Sequence, residues 1–202
     1  MPDSREHKRL MELAHQHVLL RECDIQDAGI SRTAIGRAVA SGDLERLSPG
    51  VYRHPDSTWD ENLHISEVSA RVPHAIIVLI SALHFHLIGS HQAHSVWILL
   101  RNNAVAPRIS YPPIEIVKSG VDAAFEKGIE THKLNDITVR ITTPARTVVD
   151  CFKYRNRVGL DVCLEALKDI IKEKKASPAE IMELAKMQRV SKVIQPYLET
   201  LI

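Results

Sequence analysis

Arg37 and Thr33, with Arg32 just ahead of them, have the side chains and spacing to read a nucleic acid. A guanidinium donates two parallel hydrogen bonds to guanine, and a threonine meets a thymine methyl or a phosphate. At 100° per residue, Thr33, Gly36, Arg37, Ala40 and Ser41 fall on one side of a helix, with Ile35, Ala38 and Val39 on the other. Apart from Arg37 the outer side is small, which lets a helix backbone come close to base edges. Arg46 and Arg53 follow on what reads as a hairpin and are placed to hold phosphates beside the groove, with Arg32 at the helix start. Ser31 and Ser41 complete this candidate DNA-binding set.

Other constellations carry less chemistry. His84, His86, His91 and His94 lie close together, but His84 and His86 are two apart and point to different faces of a helix. No glutamate is placed as in an HExxH zinc site, so structural histidines are the expectation and no metal site is assigned. Glu115 and Lys118 sit three apart on a strand, hence on opposite faces, where a metal-dependent nuclease needs them on one face with partner carboxylates. Arg146 and Asp150 are within i,i+4 ion-pair reach. The preferred reading is a helix start pinned to a sheet; a functional reading makes them partner contacts rather than catalysts. No Gly-rich phosphate loop and no Gly-x-Ser-x-Gly elbow occurs. The chain is therefore read as a non-enzyme, with no catalytic residue and no cofactor.

The elements that must position the candidate residues are legible around them. Residues 25–53 read as a short helix, a turn at Gly29, a second helix and a hairpin, the order of a winged helix-turn-helix. Ser31 caps the second helix and Gly42 ends it. Ser48-Pro49-Gly50-Val51 fits a type II turn, with a longer or bulged loop as the alternative. A first helix over Arg5–Leu20 completes a small three-helix core. Charge gives no help: residues 1–58 hold 8 Lys and Arg against 9 Asp and Glu. A DNA-binding face then requires the cations to cluster while Asp24, Asp27, Asp43 and Glu45 point elsewhere.

The turn-rich His54-Pro55-Asp56 marks a domain boundary, giving domains of 1–56 and 57–202. The second reads as mixed α/β. It opens with a helix over Asp60–Val72, a buried strand over Ala75–Ile80, and a short helix over Ser81–Ile88. Strands follow over His94–Leu100, Ile114–Lys118, Gly128–Leu134 and Ile137–Ile141, with Asn135-Asp136 as the last turn. Thr143-Pro144 and Ser177-Pro178-Ala179-Glu180 start helices of a C-terminal helical tail, which includes Leu160–Lys172 with Leu160, Cys163, Leu164, Leu167 and Ile171 on one face. The fold class is α+β.

Three stretches together resemble the AbiE-type (AbiEi family) antitoxins, the transcriptional-regulator half of type IV abortive-infection toxin–antitoxin pairs. They are Gly42–Arg53, then Ser81-Ala82-Leu83 with His86-Leu87-Ile88-Gly89, then Thr142–Asp150 before the helical tail. The resemblance implies a DNA-binding N-terminal domain and a C-terminal domain that supports antitoxin function. It also implies repression of the protein's own operon at inverted repeats, and a nucleotidyltransferase-like toxin as partner.

The 202 residues are 45% hydrophobic and 25% charged with a net charge of +1, so any pull on DNA must come from local patches. Cys23, Cys151 and Cys163 are too few and scattered for a disulfide framework and point to a reducing cytoplasm. No signal peptide is read at the charged N-terminus, and the longest apolar run, Ala75–Leu83, is too short to span a bilayer. The reading is a cytoplasmic, sequence-specific regulator that binds double-stranded DNA. The alternatives are a winged helix that binds protein, such as the toxin, and, ranked last, a nucleic-acid-processing enzyme.

Overall fold

A computed structural model describes residues 4–58 and 60–201. The chain forms two compact units, one of residues 1–73 and 133–139, the other of residues 74–132 and 140–202. The division thus falls later than the His54-Pro55-Asp56 turn, because the helix over Leu63–Arg71 packs on the hairpin strand that precedes it.

In the first unit, α1 (Ser4–Gln16) is followed by β1 (Leu20–Arg21), α2 (Glu22–Asp27), α3 (Arg32–Ser41), β2 (Glu45–Ser48), β3 (Val51–Arg53) and α4 (Leu63–Arg71). This is a winged helix-turn-helix. Its core gathers Leu10 and Ala14 of α1, Leu20 of β1, Ile25 of α2, Ile35 and Ala38 of α3 and Tyr52 of β3, with Ile30 and Leu44 from the flanking turns. The first helix stops at Gln16 rather than continuing to Leu20. The Val18 amide instead donates to Asp136 Oδ2 at 3.1 Å, and Leu20 and Arg21 pair antiparallel with Tyr52 and Val51. The wing is a three-stranded sheet in the order β1-β3-β2. Gly50 takes the positive φ that the turn requires, and a bulge falls between Arg46 and Ser48.

The second unit carries a five-stranded sheet in the order β6-β5-β4-β8-β7, made of β4 (Ile76–Ile77), β5 (Val96–Arg101), β6 (Ile114–Ser119), β7 (Ile129–Leu134) and β8 (Ile137–Thr142). The tip of the β7–β8 hairpin is the segment that groups with the first unit. Asn135 and Asp136 both adopt positive φ there, as a two-residue hairpin turn demands. The strand expected over Ala75–Ile80 is shorter, because Leu79 takes φ 51° and opens α5 (Leu79–Phe85). Helices α6 (Pro144–Lys153), α7 (Arg155–Val158), α8 (Leu160–Lys172), α9 (Pro178–Met187) and α10 (Ser191–Glu199) follow. Their apolar faces bury Ile76, Leu99 and Val117 of the sheet with Val148, Phe152, Leu167, Ile181 and Ile194. Thr143 and Ser177 cap as their Thr-Pro and Ser-Pro pairs imply, each accepting from the amide three residues on. In α8 the buried stripe is Val162, Cys163, Ala166, Leu167 and Ile170, so Leu160 lies exposed rather than on the inner face.

Candidate nucleic-acid interface

Helix α3 is fixed at both ends by its own sequence. Ser31 Oγ accepts from the Ala34 amide at 3.2 Å and donates to Glu6 Oε2 at 2.8 Å, tying the helix start to α1. Gly42 closes the helix in the left-handed conformation. Ala34, Ile35 and Ala38 are buried, and Thr33, Gly36, Arg37, Ala40 and Ser41 are exposed together, as the 100° spacing requires. A Cβ at Gly36 would meet nothing within 4 Å, so the middle of this face is open.

The charged residues sort into one local pair and two that the sequence order conceals. Arg21 donates to both oxygens of Asp24, at 2.7 and 2.6 Å. That hydrogen-bonded pair holds the Asp24 carboxyl below the usual aspartate value and lifts Arg21 above its own. Arg32 Nε lies 2.6 Å from Glu22 Oε1. Arg53 donates to Glu45 Oε2 at 2.7 Å. Asp24 and Glu45 are therefore neutralised rather than turned away. Asp43 does stand beside the outer face, where its Oδ2 accepts from Ser41 Oγ at 2.6 Å.

The candidate DNA contacts consequently differ in what they offer. Thr33, Arg37 and Arg46 are exposed, and neither Arg37 nor Arg46 has a carboxylate partner among the described residues. Arg32 is 80% exposed but held by Glu22. Ser31 and Ser41 are exposed while their hydroxyls serve the ends of α3. Arg53 is different. It is 6% exposed and sits directly across the ladder from Glu45, so it braces the wing instead of reaching for a phosphate.

Between α3 and the wing runs a groove of about 300 Å³, lined by Glu22, Arg32, Gly36, Val39, Arg46 and Tyr52 among others. Burial and the nearby Glu22 charge raise the pKa of the Tyr52 phenol, while Arg46 and Arg32 act in the opposite sense. Two arginines and one carboxylate thus converge on the same small space. Sequence reasoning missed Glu22, and no local spacing marks it: it meets Arg32 only once α2 and α3 pack.

In the second unit, Arg146 and Asp150 are 1% and 3% exposed, which leaves no surface for a partner. Arg146 Nε donates to Asp150 at 2.9 Å, and its terminal nitrogens donate to the carbonyls of Lys127 and Ala124. The expectation of partner contacts is corrected: the pair pins α6 to the loop before β7. Of the four histidines, His84 is half-buried on α5 and the other three have separate surroundings. His86 Nε2 lies 2.7 Å from the Thr142 carbonyl, His91 lies 3.1 Å from Glu165, and His94 is exposed. Among the described residues no group of three or more His, Cys, Asp or Glu is arranged to hold a metal ion. Glu115 pairs with Arg157 at 2.8 Å, while Lys118 donates to backbone carbonyls on the exposed side. No helix among the described residues is long and apolar enough to cross a membrane.

Residues 8–55 match the family described as "Transcriptional regulator, AbiEi antitoxin". The match covers α1 to the wing, so the N-terminal winged helix-turn-helix is of the type found in that family of regulators. The fold as a whole is similar to the crystal structure of the RV2827C protein from Mycobacterium tuberculosis, with a TM-score of 0.62 at 15% identity over 96% of this chain and 81% of that one. At that identity the likeness shows the fold alone. A search of curated proteins returned no match.

Proposed function

We propose that the protein is a sequence-specific regulator that binds double-stranded DNA through α3 and the wing and represses its own toxin–antitoxin operon. The observation that carries this is the open outer face of α3, small-sided around Gly36, flanked by Arg37 and Arg46 without carboxylate partners among the described residues. Thr33 and Arg37 read base edges in the major groove, Arg37 by the bidentate contact with guanine. Arg46 and Arg32 hold the flanking backbone, and Ser31 and Ser41 lie at the two ends of the contact. The family match over residues 8–55 supports a regulator of this class. On the same reading the operator holds inverted repeats, the cognate partner is a nucleotidyltransferase-like toxin, the protein acts in the cytoplasm and it catalyses no reaction.

A gel shift with the protein's own upstream DNA against scrambled duplex, across a salt series, tests the proposal. Tight, selective and salt-sensitive binding is expected. Arg37→Ala should lower the ratio of specific to nonspecific affinity by about 1–3 kcal/mol. Arg46→Ala should weaken both duplexes evenly and flatten the salt slope by about one unit. Equal, salt-insensitive behaviour toward both duplexes would overturn the proposal and make the winged helix a protein-binding module.

A further inference from the structure

Glu22 is held from several sides. Gln26 Nε2 donates to its Oε1 at 3.1 Å, the Tyr52 hydroxyl lies 3.5 Å from its Oε2, and its own amide donates to the Gly50 carbonyl at 2.8 Å. Gln26 from the same helix and Tyr52 from the wing thus hold the carboxylate itself, and the Gly50 carbonyl anchors its backbone, beside the groove between α3 and the wing. Arg32, its ion-pair partner, is the opposite case: 80% exposed, on a long side chain at the first turn of α3. Of the two, Arg32 is the one free to swing. Arg46 contributes to the other wall of the same groove, and Gly36 leaves room between them.

We propose that Glu22 is a built-in stand-in for a DNA phosphate. In the free protein it occupies the Arg32 guanidinium; in the complex a phosphodiester entering the groove takes Arg32 over, and Glu22 stays behind with Gln26 and Tyr52. This rests on the DNA-binding reading and adds to it a site for the sugar–phosphate strand and a residue that limits affinity. The chemistry is an exchange of one charge-assisted pair for another, since a guanidinium forks equally well onto carboxylate and phosphate. Because Arg32 must give up Glu22 before it neutralises a phosphate, its contribution to affinity and to the salt slope is largely cancelled in the wild type. Glu22 also repels the strand it faces. The near balance of 8 Lys and Arg against 9 Asp and Glu over residues 1–58 is then a means of keeping nonspecific binding weak.

The test is a double-mutant cycle with full-length protein, read by fluorescence anisotropy on a labelled duplex carrying the upstream DNA, across a salt series. Glu22→Gln keeps the shape and the Gln26 contact. It is expected to tighten binding by about fivefold at low salt, the range that exposed ion pairs support, and to steepen the salt slope by about one phosphate. Arg32→Ala should cost little in the wild type and remove most of the gain in the Glu22→Gln background. Should Glu22→Gln lose the cooperative thermal transition, Glu22→Asp, which draws the charge back by one methylene, is expected to tighten binding in the same direction by a smaller factor. Unchanged affinity and slope, or a gain of equal size with and without Arg32, would overturn the exchange. Duplex binding by the wild type in that outcome would leave the DNA-binding reading standing; its absence in every variant would overturn that reading too.

Discussion

Glu45 and Arg53 stand opposite each other in the β2–β3 ladder, and the Arg53 guanidinium reaches one Glu45 carboxylate oxygen from two nitrogens, at 2.7 and 2.6 Å. Arg53 is buried and Glu45 is about half exposed. This geometry reverses the expectation from sequence spacing that Arg53 holds a phosphate beside the groove. Arg53→Ala should instead destabilise the wing by about 2 kcal/mol, less than a fully buried pair would cost because Glu45 can rehydrate. Thermal unfolding of the variant measures the loss. The salt slope of whatever folded protein remains should equal that of the wild type; a slope lower by one unit would mean that Arg53 leaves Glu45 for a phosphate.

Arg146 and Asp150 set a second stability prediction. Burial raises the Asp150 pKa, and Arg146 works against that rise. Gly128 shows how closely the pair is seated, since a Cβ there would fall 2.7 Å from the Arg146 Cβ at a φ of +65°. Arg146→Met should cost about 3–5 kcal/mol, because it strands a buried carboxylate and two carbonyls. A native pKa above the unfolded one means that stability is lost as pH rises from the unfolded value through the native one. The deficit of Arg146→Met should therefore shrink as the pH is lowered from neutral toward acid, and Arg146→Met/Asp150→Leu should recover part of it at neutral pH. Urea midpoints across pH check both.

What was legible in the sequence was local. Ser31, Thr143, Ser177 and Gly42 announce helix ends because a cap is made within a turn of itself, and Asn135-Asp136 announces a hairpin because both residues tolerate positive φ. The outer face of α3 followed from helical period alone. What was not legible depended on distant partners. Asp136 takes the Val18 amide out of α1 and lets Leu20-Arg21 become a strand, and nothing near Val18 reveals it. The burial of Arg53 follows from the register of the wing and its bulge, and the capture of Arg32 from the packing of α2 on α3. Charge counting over the N-terminal residues could not distinguish carboxylates that repel DNA from carboxylates already spent on an arginine.

Gly36 separates stability from binding. It lies inside α3, where glycine costs roughly 0.5–1 kcal/mol relative to alanine, and the space above it is empty. Gly36→Ala should raise stability by about that amount with little change in DNA affinity. Gly36→Leu should keep the fold and fill the floor of the groove between α3 and the wing, reducing duplex binding at least tenfold by the size of one lost backbone approach, about 1.4 kcal/mol. Thermal unfolding and anisotropy on the same samples test it. Full binding by a folded Gly36→Leu protein would place the interface elsewhere.

Asp136 should act as a titratable clamp on the end of α1. Its carboxyl is opposed by burial, yet the Val18 amide, the Lys133 ammonium and His17 together hold it below the usual aspartate value. A depressed native pKa contributes stability that is complete above the unfolded value and is lost as pH falls through the native one. Asn tolerates the φ of +66° at this position, so Asp136→Asn removes the charge without straining the hairpin. Hydrogen exchange at the Val18 amide should be faster in Asp136→Asn at neutral pH, by the difference of about 1 kcal/mol between a charged and a neutral acceptor. The gap should close only below the ordinary aspartate value, about pH 4. Equal protection at neutral pH would show that the amide is held by the turn itself and that the carboxylate is incidental to ending α1.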